Sequence, residues 1–214
     1  MIVVSVLMAF GIEAWWDRAQ DRAAAEDLLV SLRTEVEFNL SQLAEAEAAL
    51  ATSRGAGESL LAMTAPDAGA PQPFLVDSLL SATLDFATFD PATGSITDVL
   101  NGQLRLIGSG ELRHAIARWE EQMRDLREDE GWAINEFVLS AFPAVAGEVP
   151  VFTGANRTWA EAAGPDARRE VLRRLDFANR LGFWVFRLNR LAVEHADFRA
   201  YLEGMLALIE TEGS

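Results

Sequence analysis

The chain has 214 residues, half of them hydrophobic, which is enough for one sizeable core and unlike the composition of a disordered segment. Its formal net charge of −15 repels phosphate backbones and excludes non-specific nucleic-acid binding. The absence of cysteine excludes a disulfide framework, a thiolate nucleophile, a Cys-ligated zinc site and an iron–sulfur cluster, leaving His114, His195 and Tyr201 for acid–base chemistry near neutral pH.

Met1 to Ile12 is apolar throughout apart from Ser5, and Glu13, Ala14, Trp15, Trp16, Asp17 and Arg18 follow. Those first residues span roughly 18 Å as a helix, or about 24 Å as far as Trp16, against a hydrocarbon core of about 30 Å. Two readings fit: a membrane helix that begins upstream of Met1, or a core or interfacial helix. The Trp15–Trp16 pair beside Asp17 and Arg18 matches the aromatic belt where a helix leaves a bilayer, because indole is apolar in body with one polar N–H. This favours an anchor over residues 1–16 with Trp15 and Trp16 at the membrane interface. A cleaved signal peptide fits worse, since no basic residue precedes the apolar run and no small-x-small site follows it.

From Asp17 to Met63 there is no proline, and no glycine before Gly55. Leu29, Leu32, Val36, Leu43, Ala46 and Leu50 fall in a heptad register with Asn39 in its one polar slot, so residues 17–63 are expected to form one long juxtamembrane helix. It serves either as a dimerising coiled-coil stalk or as a member of a bundle. Leu28, Val30, Phe38 and Leu40 widen the apolar face and favour the bundle. A helical domain over 74–212 is expected to pack with it. Thr64 to Pro73, with three prolines and a glycine, reads as a loop, and Phe74 to Phe86 as a second helix. Ser95 is placed to cap a short helix from Ile96 to Asn101, with Gly102 at its end in a left-handed conformation.

Ser109 is expected to cap a long helix that Pro143 ends, with Leu112, Ala115, Ile116, Trp119, Met123, Leu126, Trp132, Ile134 and Phe137 on its apolar side. Residues 145–164 read as irregular. Pro165 is expected to open a helix reaching His195, with Asp197 capping a final helix through Ile209. The fold class is therefore all-α: a long N-terminal helix, membrane anchor continuing into stalk, plus an antiparallel helical bundle.

Candidate chemistry is sparse. Glu111 and His114 have the spacing used in di-iron helical bundles, but such a site needs a second Glu-x-x-His, which the sequence lacks. Arg173, Arg180 and Arg187 fall seven apart, which predicts a shared face. That face is either a patch for an anionic headgroup or phosphate-bearing partner, or it pairs internally with acids such as Glu120, Glu121, Asp125, Glu128, Asp129 and Glu130. Phe177, Leu181, Phe183, Trp184, Phe186 and Leu188 nearly encircle the same helix, which is either fully buried or forms an oligomer contact. Neither a Gly-rich phosphate loop nor a Gly-x-Ser-x-Gly elbow is present. No catalytic residue, cofactor or metal is expected.

Two segments carry a family resemblance. Phe10-Gly11-Ile12-Glu13-Ala14-Trp15-Trp16 followed by Leu32-Arg33-Thr34-Glu35-Val36-Glu37-Phe38-Asn39, and later Asp90-Pro91, Gly94, Gly102 to Ile107, Glu111 to Arg113 and Trp119, resemble an uncharacterised family of bacterial single-pass membrane proteins. Its members carry an apolar helix with Ile-Gly-x-x-x-Ala, an aromatic exit and then Leu-x-x-Glu-x-x-x-Asn. The resemblance implies a transmembrane helix preceded by a basic flank, and Glu13 departs from the usual apolar residue. It brings no activity, substrate or cofactor.

The expected function is that of a membrane-tethered, non-enzymatic helical domain that senses or scaffolds through protein contacts. It would sit at a bacterial inner membrane with the domain facing the periplasm. Its partners would be membrane lipid and another protein, with a homo-oligomer open and nucleic acid excluded. The alternative is a soluble helical domain that binds a small apolar or anionic ligand.

Overall fold

A computed structural model describes residues 2–69, 73–146 and 170–213, and the described residues are helical with no strand. The order is α1 (Ile2–Met63), α2 (Pro73–Thr83), α3 (Gly94–Asp98), a π-turn (Val99–Gln103), a 3-10 turn (Leu104–Leu106), α4 (Gly110–Ala117), α5 (Trp119–Glu136), a second π-turn (Phe137–Ala141), α6 (Phe142–Ala146) and α7 (Leu175–Glu212). The helix expected to open at Pro165 begins outside the described residues. The chain forms two compact units, one from Met1–Ser41, Pro91–Gln122 and Arg199–Ser214, the other from Gln42–Asp90 and Met123–Phe198. Both α1 and α7 contribute to each.

The seam of α1 is that of a bundle helix. Leu28, Leu32, Val36, Asn39, Leu43, Ala46, Leu50, Ser53, Ala56 and Leu60 are buried, in alternating steps of three and four that follow the 3.6-residue turn. Leu28 takes the place assigned to Leu29, while Val30 and Phe38, read as widening the apolar face, point to solvent. In the second unit α1 meets α7 antiparallel, since a Cβ on Gly57 would lie 2.8 Å from Val185 Cγ2 and one on Gly182 3.8 Å from Leu61 Cδ1, and in the first unit Arg33 reaches Glu210 at 3.3 Å.

In the first unit Leu28, Leu32 and Val36 bury with Ile96, Val99, Ile107, Leu112, Ile116 and Trp119 and with Leu202, Met205 and Ile209 of α7. Gly102 has φ +146°, the left-handed conformation that glycine tolerates, and the chain turns there from the π-turn into the 3-10 turn. Ser109 caps α4 as expected, its Oγ accepting from the Leu112 N–H at 3.2 Å. Ser95, expected as a cap, instead lies inside α3, whose cap position is Thr93 with no side-chain bond.

The helix expected from Ser109 to Phe142 is broken twice. Arg118 departs toward ψ −3° between α4 and α5, and the π-turn interrupts the run before Pro143. Pro143 does not end the helix. Its missing N–H and its ring strain an α-ladder, and the wider π-turn just before it, closed by the Phe142 N–H to Phe137 O bond, precedes its entry into α6. The buried face of α5 continues from Trp119, Met123 and Leu126 through Glu130 and Ala133, which leaves Trp132 and Ile134 exposed. Periodicity, not hydrophobicity, decides which face is inside. Asp197 caps nothing, because α7 runs unbroken past it.

The second unit centres on a polar knot. Ser53 Oγ donates to Thr83 O at 2.6 Å, Thr83 Oγ1 donates back to Ser53 O at 3.1 Å, and Trp184 Nε1 donates to Thr83 O at 3.0 Å. Thr83 ends α2, so its carbonyl is an orphan of the helix terminus that these two donors satisfy. The close approach depends on Gly57: a Cβ there would lie 2.7 Å from Thr83 Oγ1 and 2.8 Å from Val185 Cγ2. Gly55, two residues earlier, faces open space. Gly57→Ala is therefore expected to destabilise by about 1–3 kcal/mol through overpacking, while Gly55→Ala stabilises by up to about 1 kcal/mol through helix propensity. Urea unfolding of the two variants measures both, and equal effects would refute the close-packing account.

Candidate functional site

The N-terminal end of α1 is not enclosed by its own chain. Every described side chain between Met8 and Asp27 is exposed except Ala14 and Ala25, which are half-buried. Phe10, Trp15 and Trp16 are 63%, 65% and 64% exposed, Ile12 is equally open, and a Cβ on Gly11 would meet nothing within 4 Å. This removes the expectation's alternative of a buried core helix for these residues. The segment spans about 30 Å of helix, and Asp21 to Arg105, 3.4 Å and exposed at both ends, is a weak tether near its base. Alanines at 19 and 23–25 favour the helix locally, but local propensity leaves large apolar side chains in water. No helix among the described residues is long and apolar enough to cross a membrane.

The residues of the Leu-x-x-Glu-x-x-x-Asn motif act as a clamp. Leu32 is core. One turn on, the Glu35 carboxylate accepts from the Ser95 N–H at 2.6 Å and the Ile96 N–H at 3.2 Å, satisfying free donors at the start of α3. Fully buried Asn39 donates through Nδ2 to Ala92 O and accepts at Oδ1 from the Ala92 N–H, both at 2.8 Å. Glu212 of α7 does the same for the approach to α4, accepting from the Gly108 and Ser109 N–H groups at 2.7 and 2.8 Å. The sequence placed Asn39 in a coiled-coil slot and had no signal for Glu212.

The three arginines are not equivalent. Arg173 sits in the turn before α7, so the three do not share one helix. Arg180 is exposed, and Arg187 is half-buried with its guanidinium 5.3 Å from the Trp132 ring centre and 5.0 Å from that of Phe183. None of the three forms an ion pair among the described residues, whereas Arg174 pairs with Asp176 at 2.7 Å and Arg190 with Glu194 at 2.6 Å. The aromatic belt around this helix splits: Phe177, Leu181, Trp184 and Leu188 are buried, and Phe183 and Phe186 face outward.

Three titratable side chains are withdrawn from solvent. His195 is fully buried, its Nε2 3.6 Å from Glu130 Oε1, too long for a hydrogen bond, and neither ring nitrogen has a partner. Glu130 is held by the Phe89 N–H at 2.7 Å. In the first unit Tyr201 donates its hydroxyl to Ala115 O at 2.8 Å, and burial pushes the phenol well above its usual range. His114 lies at the end of α4, and no group of three His, Asp or Glu side chains among the described residues could hold a metal ion.

The chain matches no protein-family model, no curated protein and no solved structure.

Two outcomes follow from these contacts. Asn39→Ala leaves the backbone N–H and C=O of Ala92 without these partners and is expected to cost about 2–4 kcal/mol. Asn39→Asp is also costly because a carboxylate cannot donate to Ala92 O; urea midpoints check both, and a neutral Asn39→Ala would remove the clamp. Glu194, 18% exposed, has its carboxyl raised first by burial, then by Asp129 against the opposing pull of Arg190, with Asp197 and Asp125 adding repulsion. A raised folded-state value means that its contribution to stability is present at low pH and lost as the group ionises. Glu194→Gln is expected to be the more stable protein at pH 7, with the advantage vanishing below roughly pH 4. Thermal unfolding across that range would show the opposite order if the Arg190 pair dominated.

Proposed function

We propose that this protein is a membrane-tethered helical domain that acts by contacting another protein, in sensing or scaffolding, and catalyses no reaction. The observation that carries the reading is the end of α1, where Phe10, Ile12, Trp15 and Trp16 stand exposed along a helix that its own domain leaves uncovered. Water is a poor solvent for such a surface, and lipid or another protein is a good one. Trp15 and Trp16, followed by Asp17 and Arg18, suit the headgroup level, with Met8 to Ile12 toward the acyl chains. The resemblance to bacterial single-pass membrane proteins supports an inner-membrane location with the helical domain in the periplasm.

One observation favours a second reading. In the first unit a groove of about 410 Å³ lies between Leu29, Val30 and Ile209, rimmed by Glu26, Arg33 and Glu210. That volume suits a small ligand. Arg33 is already engaged by Glu37 and Glu210, which leaves the rim little free positive charge for an anion.

Fractionation separates the two readings. The expressed full chain is expected to pellet with membranes, resist high salt and come away with detergent. The variant carrying Phe10→Asp, Trp15→Asp and Trp16→Asp is expected to shift to the soluble fraction, since each charge opposes insertion by about 2.5–3.5 kcal/mol at mid-bilayer and less near the headgroups. A wild-type chain found in the soluble fraction overturns the tether.

A further inference from the structure

The second unit carries an exposed patch that its own chain leaves incomplete. Trp132 of α5 and Phe183 and Phe186 of α7 are 52%, 44% and 58% exposed. They form one connected surface: Arg187 lies over the rings of Trp132 and Phe183, and Phe183 stacks on Phe186 at 6.1 Å with 21° between planes. Half-exposed aromatic rings gathered around an arginine have the composition of an interface centre rather than of ordinary surface.

Two polar atoms here lack partners. The Nε of half-buried Arg187 is enclosed and donates to nothing, and the Oε1 of half-buried Glu136 is enclosed and accepts from nothing. Glu136 follows Trp132 by four residues in α5, so it lies on the same helix face. One face thus presents a half-buried arginine and a half-buried glutamate, each with one enclosed atom unpartnered and the rest of its charged group toward the surface, and the two form no ion pair with each other. A charge held in an aromatic surround needs an opposite charge more than one in water does.

We propose that this face pairs with a second copy of the chain in a two-fold dimer. A two-fold axis sets the same patch against itself, so a residue contacting another is contacted by it in return. The Arg187 of each copy then meets the Glu136 of the other, while the Trp132, Phe183 and Phe186 rings exclude water around the pairs. A patch carrying one donor and one acceptor is self-complementary in charge. The net charge of −15 makes unspecific association of copies unfavourable, and the two cross-pairs select this arrangement over others. Membrane attachment by α1 is not needed for the pairing and does not produce it.

The test is sedimentation equilibrium of the full chain in density-matched detergent, with circular dichroism to establish that each variant is folded. The wild type is expected to show a monomer–dimer equilibrium. Arg187→Glu and Glu136→Arg are each expected to weaken it at least about tenfold, and mixing the two variants in equal amounts is expected to restore it, because both contacts in the mixed dimer are again Glu against Arg. Phe186→Asp, at a position too exposed to disturb the fold, is expected to abolish the dimer even where a charge variant fails to fold. A monomeric wild type, a dimer unaffected by Phe186→Asp, or two folded charge variants that do not recover on mixing each overturn the proposal. Failure of α1 to hold the chain in membranes leaves all three readouts unchanged, so the two proposals fail separately.

Discussion

The backbone between α2 and α4 must find hydrogen-bond partners that no helical ladder supplies, and four side chains of the long helices answer that need. An enclosed peptide group without a partner costs on the order of 1–3 kcal/mol, comparable with losing a buried methyl or two. The long helices meet this with side chains set into or beside their apolar seams: Asn39 on Ala92, Glu35 on Ser95 and Ile96, Glu130 on Phe89, and Glu212 on Gly108 and Ser109. Each contact fixes a point of the connecting chain against a rigid helix. Short elements such as α3 and the turns at 99–106, which could not hold their shape alone, acquire a defined path.

The Leu-x-x-Glu-x-x-x-Asn motif and the stretch that begins at Asp90 meet in the fold. Leu32, Glu35 and Asn39 occupy one face of α1 over two turns, and the backbone they hold is that of Ala92, Ser95 and Ile96. Glycine at 94 lies between two held positions, where a Cβ would come 3.6 Å from Glu35 Oε2, an ordinary contact. In this geometry the motif fixes a loop.

Helix content was legible from periodicity and from the placing of glycine and proline, and the Ser109 cap and the left-handed Gly102 were legible from residue type. Register was harder. Reading apolar residues as inward put Leu29, Val30, Trp132 and Ile134 toward the core. The helical repeat instead carries the buried row through Leu28 and through polar Glu130, which is tolerated because it accepts the Phe89 N–H. Pro143 misled for a related reason: a proline ends an α-helix only if the ladder before it stays tight, and the π-turn loosens it. The site residues were legible only in part. Trp15 and Trp16 stand out by type, but the joining of Arg187 with Trp132 depends on how α5 meets α7, which no local pattern encodes.

The exposed apolar residues do not belong to one class. Scattered single side chains such as Val30 or Phe38 are ordinary for a surface with too little polar area to cover it. Those near the start of α1 differ because they occupy several sides of one helix, so no single neighbouring protein face could cover them all. On the proposed tether, lipid is the medium that would surround the helix and cover them. Trp132, Phe183 and Phe186 differ in the opposite sense, since they lie to one side and enclose charge. A bilayer interior is a poor environment for Arg187 and Glu136, whereas a surface bringing the matching charges is a good one. On the two proposals, the first set would meet lipid and the second a copy of the chain, and the distribution of apolar area and of unpartnered polar atoms is what tells them apart.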